Sequence, residues 1–147
     1  MKRDYPDRPL IGVGAVIVSD NRVVVARRGH EPLKGEWSIP GGVLEIGETL
    51  REGAEREALE ETGLVVEAGE VLEVLDRIVR DAQGRVQFHY VLVDFLCRPV
   101  GGELRAGGDA EDVRWLPADE LKSFPIADSA AAVLRKGLDR AIHASPS

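Results

Sequence analysis

Apolar and polar residues along the chain follow two different periods, and this pattern predicts both strands and helices. An apolar, β-branched run covers Ile11–Val18, turn residues follow at Asp20 and Asn21, and Arg22–Arg27 resumes with three valines. Two such runs joined by a short polar turn are typical of a β-hairpin. The sequence therefore predicts that two paired strands open the fold.

A second hairpin is predicted in the middle of the chain. Val71–Arg80 and Arg85–Arg98 flank the turn sequence Asp81–Gly84. From Val91 to Cys97 the second arm is apolar on both faces, which favours a central strand. Val113–Leu116 adds a further short strand that ends at a proline.

The first predicted helix has a start signal and a stop signal. Thr49 followed three residues later by Glu52 forms a capping box, and Gly63 is a C-terminal stop residue. These signals place the helix at Leu50–Thr62.

A second helix is expected near the end of the chain. It starts at Asp128 or Ser129 and buries a stripe at four-residue spacing, made of Leu134, Leu138 and Ile142. Between the first hairpin and the first helix, Arg28–Gly47 contains too many glycines and prolines for a regular element and is predicted to be a shaped loop. The elements together indicate an α/β or α+β class, with a mixed sheet and two helices in one domain over residues 1–147.

Composition narrows the function classes. The 147 residues are 44% hydrophobic and 31% charged, with a formal charge of -7, so the broad basic surface typical of nucleic-acid binding is not expected. Every apolar stretch is far shorter than a membrane span, and the N-terminus has no apolar signal segment. The single Cys97 excludes an intramolecular disulfide. These features predict a cytoplasmic protein with neither a membrane nor a nucleic-acid partner.

Negative charge is concentrated around the first predicted helix. At 100° per residue, Glu57 and Glu61 fall within about 20° of the direction that Leu50 sets, on the side of the apolar Ala54 and Ala58. The two glutamates are a like-charge i,i+4 pair, and the helix dipole disfavours Glu61 in the last turn. A cation would offset this repulsion, whereas a solvated acidic helix stays open as the alternative.

The opposite face of this helix is expected to be solvent-exposed. It allows i,i+4 ion pairs between Arg51 and Glu55 and between Arg56 and Glu60. The residues predicted on this face are Arg51, Glu52, Glu55, Arg56, Leu59 and Thr62.

The same region carries a long motif. Gly42, Glu48 and the segment Arg56–Leu64 follow the spacing G-x5-E-x7-R-E-U-x-E-E-x-G-U, where U is aliphatic, and every fixed position matches. This pattern resembles the Nudix box, and seven fixed letters make it far more specific than a short glycine motif. Flanking segments are similar to those of the family as well: Arg27-Arg28, Gly35 to Gly42, Arg114-Trp115-Leu116 and Asp119-Glu120-Leu121.

The resemblance implies a fold and a chemistry. Nudix hydrolases cleave diphosphate linkages of nucleoside diphosphate derivatives on an α/β/α sandwich, using Mg²⁺ or Mn²⁺. By this resemblance Arg56 orients the carboxylates, and Glu60 and Glu61 are catalytic. The metal ligands that it implies are Gly41, through its carbonyl group, Glu57, Glu60 and Glu61, with Glu48 assisting.

The residue that takes the proton of the attacking water is open between a box glutamate and a loop acid. Asp109, Glu111 and Asp112 follow Gly107-Gly108 in a predicted loop. Asp109 ranks first, because an acid six residues before the tryptophan, here Trp115, resembles the family's usual position. An ordinary solvated acidic loop is the alternative.

The substrate is expected to be a small nucleotide. The predicted long hairpin resembles the arms that ADP-sugar hydrolases of this family place around the terminal ribose, which favours cleavage of ADP-ribose to AMP and ribose 5-phosphate. The candidate substrate-binding residues are Arg28, Arg77, Arg80 and His89. The proline that some ADP-ribose hydrolases carry beyond the box is not found at Arg77–Arg80. Cleavage of a (d)NTP, an oxidised dNTP or a dinucleoside polyphosphate is therefore the alternative.

Two other classes share this fold and are minor alternatives. A nucleotide-sensing domain without activity tends to have a degraded box, whereas the box here is intact. A prenyl diphosphate isomerase requires a catalytic cysteine, whereas Cys97 is predicted in the central strand. The residues do not indicate the oligomeric state, and a homodimer is open here only because it is common in the family.

Overall fold

The computed structural model describes residues 2–30 and 33–144, and in this part of the chain seven strands form a mixed sheet between two helices. The strands are β1 Leu10–Ser19, β2 Arg22–Arg28, β3 Trp37–Ser38, β4 Gly41–Val43, β5 Leu64–Arg80, β6 Val86–Gly102 and β7 Ala110–Pro117. The helices are α1 Leu50–Thr62 and α2 Asp128–Ala144, with a short 3-10 helix at Ala118–Ser123. Neither α-helix within the described residues is long and apolar enough to cross a lipid bilayer.

Strand pairing confirms both predicted hairpins and the mixed class. The order is β3-β2-β1-β6-β5, with β4 paired to β1 and β7 paired to β2. β6 lies between β1 and β5, as predicted for a central strand, and runs parallel to β1 and antiparallel to β5. The predicted strand near Val113 is β7.

Neighbouring residues of β1 face opposite layers. Ala15 packs with Ala54 and Ala58 of α1, whereas Val16 packs with Leu134 of α2. All five side chains are fully buried. Because side chains alternate along a strand, α1 and α2 lie on opposite faces of the sheet, which is an α/β/α sandwich.

Helix α1 has the predicted bounds, capping box and glycine stop, with Gly63 in the left-handed conformation. The predicted exposure of Thr62 is wrong, because this residue is completely buried. Its hydroxyl donates to the Ala58 carbonyl at 2.6 Å and accepts from the Leu64 N–H at 3.2 Å. Thr62 therefore satisfies backbone groups where the chain turns from α1 into β5.

The predicted pair between Arg51 and Glu55 is also wrong. Glu55 accepts a hydrogen bond from the Ala68 N–H at 2.9 Å, and Arg51 donates to the Gly69 carbonyl at 3.2 Å. Both side chains thus bind the irregular part of β5, where its register against β6 shifts. The bulged strand can therefore begin at Leu64, well before the predicted start at Val71.

The prediction of an irregular Arg28–Gly47 is wrong in part, because β3 and β4 lie inside it. β4 pairs so closely with β1 that a Cβ on Gly41 would lie 2.3 Å from the Val13 carbonyl oxygen. Glycine here permits the backbones of β4 and β1 to approach closely. In the sequence, such a glycine cannot be distinguished from a glycine in a loop.

Two details of α2 differ from prediction. The helix begins at Asp128, and the carbonyl of Ala127 already accepts from the Ala131 N–H at 2.9 Å, so Asp128 lies in the first turn. Leu134 and Leu138 are buried as predicted, but Ile142 is 62% exposed. Ile142 borders an open cleft at the end of the sheet, so it has little to pack against.

Candidate active site

The side chain of Arg56 joins three parts of the box, which are strand β4, the loop after it and helix α1. Its guanidinium donates to Glu48 at 2.7 and 2.9 Å, to Glu57 at 2.8 Å, and to the Val43 carbonyl at 3.1 Å. The predicted i,i+4 contact with Glu60 is also present, at 3.2 Å. Hydrogen bonds from Arg56 lower the pKa of Glu48, and the same bonds raise the pKa of Arg56. Arg56 therefore fixes the orientation of several carboxylates at once.

Glu57 lies against the backbone of β4. A Cβ on Gly42 would be 2.4 Å from the Glu57 carboxylate, so a side chain at this position has no room. Burial raises the pKa of Glu57, an effect that Arg56 opposes and that the charges of Glu60 and Asp109 reinforce.

Glu61 also contacts the backbone of β4. Its carboxylate accepts a hydrogen bond from the Gly41 N–H at 3.1 Å. Burial raises the pKa of Glu61 to about 7, and the charges of Glu57 and Asp109 add to this effect, whereas Arg28 opposes it. Several acids thus lie close together in a partly buried site, where their negative charges repel one another.

The loop before β7 places Asp109 beside this group. The N–H of Gly107 donates to the Glu61 carbonyl at 3.2 Å and so caps the end of α1. The Gly29 N–H donates to the Asp109 carbonyl at 2.9 Å. As a result, Arg28, Gly41, Glu61 and Asp109 line one cavity.

Sequence reasoning did not single out His30. Its Nε2 lies 3.2 Å from the Asp109 carboxylate. The position of His30 in a loop rich in glycine and proline gave no signal, because the contact depends on how β2 and β7 pair.

The donor set fits a hard divalent cation by its chemistry. Carboxylates and backbone carbonyls are the ligands that Mg²⁺ and Mn²⁺ prefer, and burial, with a smaller effect of neighbouring acids, raises the pKa values of Glu57 and Glu61. The described residues contain no group of three acidic, histidine or cysteine side chains that already converge on one ion position. The residues thus suit a divalent cation by ligand type and charge. In this structure, Arg56 binds the carboxylates of Glu57 and Glu48.

Three of the candidate substrate-binding residues are not brought to this cavity. Arg77 and His89 lie on the long hairpin, opposite Tyr90 and Ile78 respectively, and Arg80 donates to the Gly84 carbonyl at the hairpin turn. Arg28 alone among the four candidates lines the cavity.

The two other loop acids are paired elsewhere. Glu111 lies 2.8 Å from the Arg27 guanidinium, and Asp112 lies 3.6 Å from that of Arg114. Asp109 is thus the loop acid that borders the cavity.

A wide cleft of the described chain lies away from these acids. It occupies about 800 Å³ at the far end of the sheet, and Cys97 and Ile142 are among its lining residues. Burial raises the pKa of Cys97 to about 12, as expected for a buried cysteine in the predicted central strand.

Comparison with known proteins places this geometry in a family. The model of the NUDIX domain family matches residues 8–137. The chain is 35% identical over 113 residues to a protein of Methanocaldococcus jannaschii named ADP-ribose pyrophosphatase, covering 77% of this chain and 64% of that protein. It is 37% identical over 128 residues to a MutT-like protein of Streptomyces ambofaciens, covering 87% of this chain and 75% of the relative.

A solved structure supports the same assignment. A NUDIX hydrolase from Nitrosomonas europaea superposes with a TM-score of 0.74 at 25% identity, covering 97% of this chain and 77% of that one. The mixed sheet with helices on both faces is therefore a known arrangement.

Proposed function

Because this chain belongs to the Nudix family, we propose that it is a divalent-metal-dependent pyrophosphohydrolase of nucleoside diphosphate derivatives. The family membership that the box predicts is confirmed. The observation that carries the proposal is that Glu57 and Glu61 lie against the Gly41-Gly42 backbone, with Asp109 close enough for its charge to raise the pKa of both glutamates. Names of relatives, pyrophosphatase and Nudix hydrolase among them, support a hydrolase that acts on pyrophosphate bonds.

The metal would be held by Glu57, Glu60 and Glu61 together with the Gly41 carbonyl, with Glu48 assisting. When bound, such an ion neutralises the diphosphate, lowers the pKa of a bound water and polarises the phosphoryl group. Arg56 keeps the carboxylates in position through its bonds to Glu48 and Glu57.

Residues of the cavity supply the remaining steps. Arg28 is placed to bind a phosphate oxygen, because it lines the cavity beside Glu61. Asp109 would take the proton of the water that attacks the phosphorus in line with the leaving oxygen. His30, next to Asp109, would orient that carboxylate.

We infer that ADP-ribose is the substrate, cleaved to AMP and ribose 5-phosphate. The support is the 35% identical relative named ADP-ribose pyrophosphatase, although the chain spans only 64% of that relative's length. The hairpin residues add no support, because Arg77, Arg80 and His89 do not line the cavity.

The absence of Arg77, Arg80 and His89 from the cavity lining favours a second candidate substrate, a nucleoside triphosphate that is hydrolysed with release of pyrophosphate. A triphosphate presents its charge close to the scissile bond, and the cavity offers Arg28 but none of the hairpin residues there. A MutT-like relative at 37% identity agrees with this alternative.

Measuring kcat/KM for ADP-ribose, dGTP, 8-oxo-dGTP and a diadenosine polyphosphate with Mg²⁺ separates the two candidates. We expect ADP-ribose to have the highest value, with AMP and ribose 5-phosphate as products. A triphosphate that exceeds ADP-ribose by about tenfold, which is about 1.4 kcal/mol in transition-state binding, would reject ADP-ribose and leave the pyrophosphohydrolase proposal intact.

A further inference from the structure

A buried acid outside the catalytic group has no partner in the described chain. Asp94, on the central strand β6, is 7% exposed, and no described residue forms a hydrogen bond or an ion pair with its side chain. Burial raises its pKa to about 6, and the charge of Glu73 adds to this effect. The oxygen atoms of Asp94 are not among the fully enclosed unpaired atoms of the described residues, so they are accessible to a ligand that donates a hydrogen bond.

Strand register connects Asp94 to the catalytic group. Gly41 of β4 pairs with Gly14 of β1, and Gly14 pairs with Asp94 of β6. Two interstrand steps of roughly 4.8 Å place Asp94 about 10 Å from Gly41. A Cβ on Gly14 would lie 2.1 Å from the Asp94 carboxylate, so this carboxylate lies directly over the β1 backbone.

The side chain of Ile39 makes the connection continuous. Its Cγ2 lies 3.3 Å from the position that a Cβ on Gly14 would occupy, beside Asp94. Ile39 also lines the cavity that contains Gly41 and Glu61. A ligand that begins at the catalytic group can therefore extend along Ile39 toward Asp94.

An apolar strip adjoins Asp94 on the same face of the sheet. The next row of the sheet pairs Leu75 with Leu92, and Leu92 lies over Gly12, where a Cβ would be 2.7 Å from its Cδ2. Tyr90 continues the strip along β6, and its partner on β5 is Arg77, which borders the strip with a positive charge. These side chains are partly exposed, and Leu75 lies at the margin of the α2-side core. The strip is thus apolar, open and bordered by a hydrogen-bond acceptor.

We propose that this strip binds the nucleobase of the substrate and that Asp94 accepts a hydrogen bond from the exocyclic amino group of the base. The inference rests on the proposed function, since the diphosphate of the same nucleotide lies at the catalytic group. A flat ring with a polar edge matches an apolar surface that ends in an acceptor. Asp94 is therefore a specificity residue.

The prediction concerns the difference between adenine and hypoxanthine. Adenine carries an amino donor where hypoxanthine carries a carbonyl oxygen, which the Asp94 carboxylate would repel. A site built around a buried polar group discriminates strongly against a ligand that leaves the group unpaired.

Binding of AMP and IMP in the presence of Mg²⁺, measured by calorimetric titration, tests this without requiring turnover. We expect the wild-type protein to bind AMP at least about tenfold tighter than IMP. Asp94→Leu should reduce the affinity ratio to about twofold or less, because AMP binding is weakened. Asp94→Asn should also reduce the ratio, because its amide can donate to the carbonyl oxygen of hypoxanthine and so strengthen the binding of IMP.

Glu73→Gln is the matched control, because Glu73 lies in the same row of the sheet but pairs with Lys136 at 3.5 Å. It should leave the AMP to IMP ratio unchanged, and circular dichroism reports the fold of each variant. An unchanged ratio in a folded Asp94→Leu protein, or equal binding of AMP and IMP by the wild type, would overturn the base site. Absence of diphosphate hydrolysis alongside a clear AMP preference would instead reject the proposed function alone.

Discussion

The N–H of Gly41 donates a hydrogen bond to the carboxylate of Glu61 at 3.1 Å, and this bond joins strand β4 to the last turn of helix α1. The helix dipole and the neighbouring acids disfavour a negative charge at that end of the helix. The bond from Gly41 and the proximity of Arg28 partly offset this cost. The structure thus keeps an acid in an unfavourable place, which is typical of a functional site.

Without metal, this arrangement should make stability depend on pH. The pKa of Glu61 in the folded protein is about 7, against an ordinary value of 4.5. A raised folded pKa means that the stabilising contribution is present below pH 4.5 and is lost as the pH rises through 7. Glu61→Gln should therefore be about as stable as wild type at pH 4.5 and more stable by about 3 kcal/mol at pH 8.

Denaturant unfolding in chelator-containing buffer at both pH values measures this difference. Glu103→Gln, a change at an exposed acid that follows β6, serves as the control and should show no such gain. A Glu61→Gln protein that is less stable than wild type at pH 8 would indicate a structural role for the glutamate.

Arg56 is expected to be a stabilising residue as well as an orienting one. Arg56→Met leaves Glu48, which is 13% exposed, without its charged partner. We expect a loss of about 2 kcal/mol or more in the free energy of unfolding, because an uncompensated, mostly buried carboxylate remains. Arg51→Met removes one exposed bond to the Gly69 carbonyl and should cost less than about 1 kcal/mol. Equal losses in the two variants would contradict the role of Arg56.

Gly42 should be required for the position of Glu57. In Gly42→Ala the added Cβ would meet the Glu57 carboxylate at 2.4 Å, so that side chain must move. We expect kcat to fall about tenfold or more, since displacements of about 1 Å in a catalytic group are costly. Gly101→Ala, where the nearest atom is 3.7 Å away, is the control and should keep its kcat. Wild-type kcat in a folded Gly42→Ala protein would show that the close contact is unnecessary.

Asp109 should matter more than its neighbours in the loop. If it takes the proton, Asp109→Asn lowers kcat by about two orders of magnitude and flattens the acidic limb of the pH profile. Glu111→Gln and Asp112→Asn should have small effects, because these acids pair with Arg27 and Arg114. Similar small effects from all three changes would assign the base to the box helix.

Local signals explain how much could be predicted from the sequence. The bounds of α1 follow from Thr49, Glu52 and Gly63, which act within a few residues of the helix ends. Thr62 was misjudged, because helical periodicity ignores the turn that buries it. The box predicts family membership through residue types, whereas the distance of Arg77 from the cavity depends on strand pairing.

Long-range pairing also explains what could not be predicted at the site. His30 and Asp109 are far apart in the chain and meet because β2 pairs with β7. Asp94 lies in an apolar strand, and only the structure shows that its neighbours include Gly14 and Ile39, which offer its carboxylate no side-chain donor. Contacts between residues far apart in the chain produce no periodic pattern of hydrophobic residues in the sequence.

The most direct test of the central claim is hydrolysis of ADP-ribose by the wild type and by Glu57→Gln with Glu61→Gln, with product analysis in Mg²⁺ and in chelator. We expect AMP and ribose 5-phosphate from the wild type only when metal is present. We also expect kcat of the folded double variant to be lower by about two orders of magnitude or more, because both changes remove ligand charge. Near-wild-type turnover in that folded variant, or full activity in chelator, would rule out this metal site.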